Sequence, residues 1–139
     1  MIDEHAFNLR LLEVFRTEAQ GHRREITSAL RELERGGDSL RQADAHERLF
    51  RAAHTLNGAA RAVNKSQLAA LCQSLESVFA LLKNGHGRLG GEMFGALYDA
   101  VDSIEKLEAG SGDEDSAAIG RLNDLRRALQ RPGKGAVDG

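Results

Sequence analysis

The stretch Ser66-Gln-Leu-Ala-Ala-Leu-Cys-Gln-Ser-Leu-Glu-Ser-Val-Phe-Ala-Leu-Leu-Lys83 places apolar side chains at Leu68, Leu71, Cys72, Leu75, Val78, Phe79 and Leu82. That alternation of threes and fours puts all seven on one side of an α-helix and leaves Glu76 at the rim of the stripe. Ser66 stands where a helix cap belongs, and Asn84-Gly85-His86-Gly87 closes the segment. So regular a stripe must be buried against other helices, and the neighbouring segments supply them. Upstream, Asp44 followed three residues later by Glu47 reads as a capping box that opens a helix over 45–63. Asn64 follows its last apolar residue, at a position that calls for a left-handed backbone, which Asn tolerates better than most residues. Downstream, the segment 92–108 turns Phe94, Leu97, Val101, Ile104 and Leu107 inward.

Farther out, residues 3–35 repeat the same spacing at Leu12, Phe15, Ala19, Ile26, Ala29, Leu30 and Leu33, and Gly36-Gly37 ends that run. At the other end a polar linker, Gly110-Ser-Gly-Asp-Glu-Asp115, precedes a short helix capped by Ser116, with Ala118, Leu122, Leu125 and Leu129 inward. The Gly-rich stretch from Pro132 onward is expected to be a disordered tail or linker, so the domain spans 1–131 and the tail 132–139. The predicted fold is all-α. Short connections make the second, third and fourth helices antiparallel neighbours, the long first helix completes an antiparallel four-helix bundle, and an additional short C-terminal helix packs on one end or side. One Pro, one Tyr and no Trp suit this reading, and 139 residues bury a core without disulfides or a structural metal.

Several function classes fall away. The formal charge is −2 and the arginines are interspersed with acids, so nucleic acid is not an expected partner. No apolar run reaches about 18 residues, so no membrane role is expected. Cys72 has no partner and lies on an apolar stripe, which suits a reducing compartment and a cytoplasmic location. No Glu-x-x-His occurs and one cysteine cannot build a zinc site, so no metal is expected on this chain. Gly85, Gly87, Gly90 and Gly91 follow no strand and lead into no Gly-Lys-Ser or Gly-Lys-Thr, so no ATP-binding loop is present.

One residue on the 45–63 helix is out of place for packing. Leu49, Ala52, Ala53, Leu56, Ala59, Ala60 and Val63 all lie within about 80° of the direction opposite His54, so the imidazole faces water. Phe50 and Arg51 one turn before it, Asn57 and Gly58 one turn after, and Arg61 two turns after share its face. His5, His46 and His86 read as ordinary surface histidines, and His22, beside the first helix's stripe, as a hydrogen-bonded packing residue. His54 differs because of its company. A glycine inside a helix costs about 1 kcal/mol relative to alanine, so Gly58 calls for a reason, and open room for an incoming partner is one. With a tight turn near Asn64, Glu76 on the third helix comes level with His54. A carboxylate accepting from Nδ1–H fixes the neutral tautomer whose Nε2 lone pair is free, and Nε2 becomes a nucleophile. Arg51 and Arg61 can supply the positive charge that a phosphoryl group requires.

These residues resemble a known family. His54-Thr-Leu-Asn-Gly58 resembles the His-x-Leu-Lys-Gly core of histidine phosphotransfer domains, and Glu76, twenty-two residues on, matches the glutamate that orients the family's imidazole. The opening Leu11-Leu-Glu-Val-Phe-Arg-Thr-Glu-Ala-Gln and the run Leu49-Phe-Arg-Ala-Ala-His54 are similar to the N-terminal phosphotransfer domain of CheA-type chemotaxis kinases, over about residues 7–108. Two positions depart from the pattern: Asn57 stands where the family has lysine, and Asn64 where its turn has glycine. The resemblance implies a phosphocarrier without kinase activity of its own. His54 would be the phosphoacceptor and Glu76 its orienting group, with Arg51, Asn57, Gly58 and Arg61 in contact with the phosphoryl group or the receiver. ATP and Mg²⁺ would be held by partner domains, namely an ATP-binding kinase domain in cis or in trans and a CheY-like response-regulator receiver. The composition of the tail suits a domain followed by a linker in a larger kinase. The alternative reading is a non-phosphorylated helical adaptor that binds a protein partner through the same face.

Overall fold

The computed structural model describes residues 3–110 and 116–131, in five helices: α1 (Glu4–Arg35), α2 (Ser39–Ala62), α3 (Ser66–Lys83), α4 (Gly91–Glu108) and α5 (Ser116–Gln130). No strand occurs among the described residues. The predicted all-α class holds. The expected tail 132–139 and the 111–115 part of the linker lie outside the described residues, as does the side chain of Ser116, expected to be a cap.

Pairings between helices give their directions. Glu25 meets Arg48, Glu47 meets Lys83 and His54 meets Glu76, while Arg23 meets Glu108 and Glu34 meets Tyr98. Between α2 and α3, and between α1 and α4, one residue number rises as the other falls, so these helices run antiparallel, and the three-residue connection 36–38 returns α2 along α1. With α3 packed on α4 the ring closes into a four-helix bundle, and α5 lies along its side against α3 and α4. Phe15, Ile26, Leu30, Leu49, Leu56, Leu75, Phe79, Leu97 and Ile104 fill the centre, and Leu122 and Leu125 bring α5 onto it. The thiol of Cys72 is fully buried, and burial pushes its pKa up to about 12, so it is an inert filler.

The turn that sets the site is the one between α2 and α3. Asn64 has φ +61°, as its position requires. Its N–H donates to the Arg61 carbonyl and that of Lys65 donates to the Ala60 carbonyl, the paired bonds of a Schellman ending with Asn in the place of glycine. Lys65 then reaches across the end of the bundle to the Leu107 carbonyl and over the Phe15 ring. This ties α2, α3, α4 and α1 together beyond the turn.

Two helix starts differ from expectation. α2 begins at Ser39 rather than at 45, because Asp38 caps it by accepting from the Arg41 N–H at 2.9 Å. Asp44 and Glu47 lie inside the helix and serve as i,i+4 partners of Arg48 and Arg51. Ser66 is the first helical residue of α3 and not its cap; Lys65 occupies that position and makes no side-chain capping bond.

Candidate functional site

α2 and α3 hold the candidate site between them. His54 keeps 66% of its side chain exposed, and its Nδ1 lies 2.8 Å from Glu76 Oε1. An ionised carboxylate only accepts, so Nδ1 carries the proton and Nε2 presents its lone pair to solvent. Glu76 is 21% exposed, at the wet edge of the α3 stripe. The ring is held from below as well. Phe50, one turn earlier, stacks on it with centroids 6.0 Å apart and planes 12° from parallel. Side chains on a helix lean toward its N-terminus, which brings the imidazole over residue 50 and leaves the space above it to Gly58.

Gly58 is exposed, and a Cβ built there would meet nothing within 4 Å. Nothing among the described residues therefore requires glycine at 58. The gap is open to whatever approaches Nε2.

The remaining predicted residues divide. Arg51 is exposed on the flank toward the start of α2, tied to Glu47 at 2.9 Å. Arg61 is exposed two turns beyond His54. Asn57 is a correction: it does not face outward with His54 but is 8% exposed, under the α2–α3 contact. Its Nδ2 donates to Glu76 Oε2 at 3.3 Å. The reverse amide orientation would set oxygen against a carboxylate, so this one is fixed by charge. Both oxygens of Glu76 are thus engaged, one by the imidazole and one by the amide, while Asn57 Oδ1 is buried without a partner among the described residues. Asn57 acts on Glu76 rather than on anything that reaches Nε2.

One side chain beside the site was not singled out in the sequence. Lys83, the last residue of α3, pairs with Glu47 at 2.9 Å and sits 4.8 Å from the Phe50 ring centroid. Spacing within one helix carries no sign of a pairing between residues 36 apart. His22 and His46 are half-buried, and His5 and His86 are exposed. His46 is thus less of a surface residue than expected, and burial lowers its pKa. Among the described residues no group of three or more His, Cys, Asp or Glu is placed to hold a metal, and no helix is long and apolar enough to cross a membrane.

A family model described as "Hpt domain" matches residues 10–131. The chain is 29% identical over 122 residues to the chemotaxis protein CheA of Bacillus subtilis, covering 84% of this chain and 18% of that protein. It is 26% identical over 122 residues to CheA of Halobacterium salinarum, covering 85% of this chain and 18% of that one. It thus spans less than a fifth of the length of these relatives. Among solved structures, the phosphorylated P1 domain of CheA3 in complex with CheY6 from R. sphaeroides superposes with a TM-score of 0.68 at 22% identity, over 86% of this chain and 94% of that one. That likeness is one of fold.

Proposed function

The chain belongs to the Hpt domain family, and from that membership we propose that it carries a phosphoryl group on His54 Nε2 between an ATP-using kinase domain and the aspartate of a response-regulator receiver. The observation that carries the reading is the 2.8 Å bond between Nδ1 and Glu76 beneath an exposed ring. As the Nε2 lone pair forms the N–P bond, the bond to the leaving group breaks and its electrons depart with that group. Positive charge develops on the imidazole, its Nδ1 proton stays in place, and the ionised Glu76 stabilises the ring while Asn57 holds the carboxylate. Onward transfer reverses the sequence, with the aspartate oxygen as nucleophile. Since phosphoryl transfer depends chiefly on positioning and charge neutralisation, an oriented ring with open space above it is the main requirement. Arg51 and Arg61 flank the route by which the group arrives.

ATP and Mg²⁺ belong, in this reading, to the partner domains. The similarity to part of the chemotaxis proteins supports a place for this domain within, or beside, a CheA-type kinase in the cytoplasm, with a CheY-like receiver as acceptor. The test is to incubate the chain with a CheA-type kinase domain and labelled ATP, beside His54→Gln. Acid-labile, base-stable label on the parent and none on the variant is the expected result. Equal labelling of both would remove His54 from the mechanism, and no label on either, with a partner still bound equally well by both, would favour the adaptor reading.

A further inference from the structure

Two turns before His54, the Glu47 carboxylate accepts from Arg51 Nη2 on one oxygen and from Lys83 Nζ on the other, both at 2.9 Å. The Lys83 bond, then the Arg51 bond, hold its pKa below the ordinary carboxylate range, so Glu47 is ionised and the three groups together carry one net positive charge. The cluster is not remote from the chemistry. Lys83 Nζ lies 4.8 Å from the Phe50 centroid, and that ring stacks 6.0 Å from the imidazole. The ammonium can therefore be no farther from His54 than the sum of those spacings, about 11 Å, comparable with the screening length of ~8 Å at physiological salt. Arg51 keeps 74% and Lys83 40% of its side chain exposed. Both cations are thus ordered and still open to a partner.

We infer that Arg51 and Lys83, set in place by Glu47 and with the Lys83 ammonium over the half-buried Phe50 ring, form a docking rim for the acidic mouth of the receiver that takes the phosphoryl group. The inference rests on the phosphotransfer reading. An acceptor aspartate that works with Mg²⁺ needs further carboxylates to hold the metal, so the surface around it is acidic. A cationic rim raises the rate of productive encounter with such a surface. Glu47 has already restricted two long side chains, so less freedom is lost when the complex forms. Lys83 is then a specificity-determining residue of the carrier, placed by α3 on the flank opposite Gly58.

The experiment is transfer from the phosphorylated chain, loaded with a small N-phosphoryl donor such as phosphoramidate, to each CheY-type receiver of the same organism with Mg²⁺. It compares the parent, Lys83→Glu, Lys83→Gln and Lys83→Arg from about 50 to about 300 mM salt. Lys83→Glu should raise KM about tenfold at low salt with kcat retained, Lys83→Gln should do so less, and Lys83→Arg should keep the parent's KM. The differences should shrink as salt rises, which a merely structural role would not produce. Parental KM and salt dependence in Lys83→Glu and Lys83→Gln, or a loss confined to kcat, would overturn the docking rim and leave the carrier reading standing. Failure of the phosphorylated parent to transfer to any receiver would overturn both.

Discussion

The outer face between α2 and α3 and the inner seam between α1 and α4 are built from the same kind of bond, a carboxylate bridging antiparallel helices, yet they serve different ends. In the seam, Glu108 is 5% exposed and Arg23 15%; Arg23 donates to Glu108 and pairs with Glu105 at 3.5 Å. Burial raises the pKa of Glu108 against the pull of Arg23. Three turns along, the Tyr98 hydroxyl donates to Glu34 at 2.5 Å, and burial, helped by that bond, pushes its pKa up to about 12. Glu108 takes one donor and leaves its Oε2 buried without a partner among the described residues, whereas on the outer face the Glu76 carboxylate takes two donors, one of them an imidazole whose second nitrogen is left in water. The seam spends its polar groups on one another. The site keeps one in reserve, so its residues contribute reactivity where those of the seam contribute register.

The comparison makes its largest prediction for the seam. Arg23→Ala leaves Glu108 buried without its cation, and breaking a buried pair in this way costs about 3 kcal/mol. That is the low end for such pairs. It applies here because a cleft of about 210 Å³, lined by Arg16, Gln20, Arg23, Glu105 and Glu108, lets water approach. Tm should fall by about 10 °C. Adding Glu108→Gln should recover part of the loss, and phosphoryl acceptance at a temperature where the variant is folded should stay near the parent's. A double variant no more stable than Arg23→Ala would show that the buried charge is not the cause.

On the outer face the proportions should invert. Glu76→Ala should slow phosphoryl acceptance about 10- to 100-fold, the range for groups that orient a catalytic imidazole, while Tm moves little. Glu76→Gln keeps an acceptor for Nδ1–H but lacks the charge that stabilises the developing imidazolium. Its rate should fall between the other two, separating orientation from charge. Imidazole ¹⁵N shifts of His54 unchanged between Glu76→Ala and the parent would sink the tautomer argument.

Asn57→Ala should have a smaller effect, about fivefold on the same rate, as one hydrogen bond to Glu76 is worth about 1 kcal/mol. Stability should hardly change, because the substitution also removes the buried, unpartnered Oδ1. A rate equal to the parent's would mean that Glu76 needs no second tether.

How far the sequence shows this arrangement depends on whether the deciding contact lies within one helix or between two. The stripes on α3 and α5, the left-handed Asn64 and the outward His54 are set by local periodicity and turn chemistry, and they are legible. The start of α2 is not legible, because Asp44-x-x-Glu47 has the residue types of a capping box, while on a solvated helix face the same residues bind cations one turn later. The burial of Asn57 is hidden for a different reason. A helical wheel gives its angle from its own core, but not which flank α3 covers, and that flank decides whether residue 57 meets water or Glu76. The Arg23–Glu108 pair, 85 residues apart, left no trace in either segment. Glu76 is legible because a short turn converts sequence distance into height along the bundle.

The smallest effect compares the two histidines of α2. His54 stands in water, whereas His46 is half-buried and its pKa is lowered by that burial. A lowered value means that the unfolded chain binds the proton more readily than the fold does. His46 therefore leaves stability undiminished above its ordinary pKa near 6.5, and stability is lost as pH falls from there through its folded value. Glu108 works the other way, since its raised pKa makes the neutral acid the form that folding favours and its contribution is lost as pH rises. Subtracting the curve of one variant from that of the parent removes this second contribution. Thermal melts of the parent and His46→Gln between about pH 7.5 and 5 should therefore converge or cross as pH falls, the parent losing Tm faster below about 6.5. Parallel curves for His46→Gln would remove the contrast between a histidine that packs and one that is kept for chemistry.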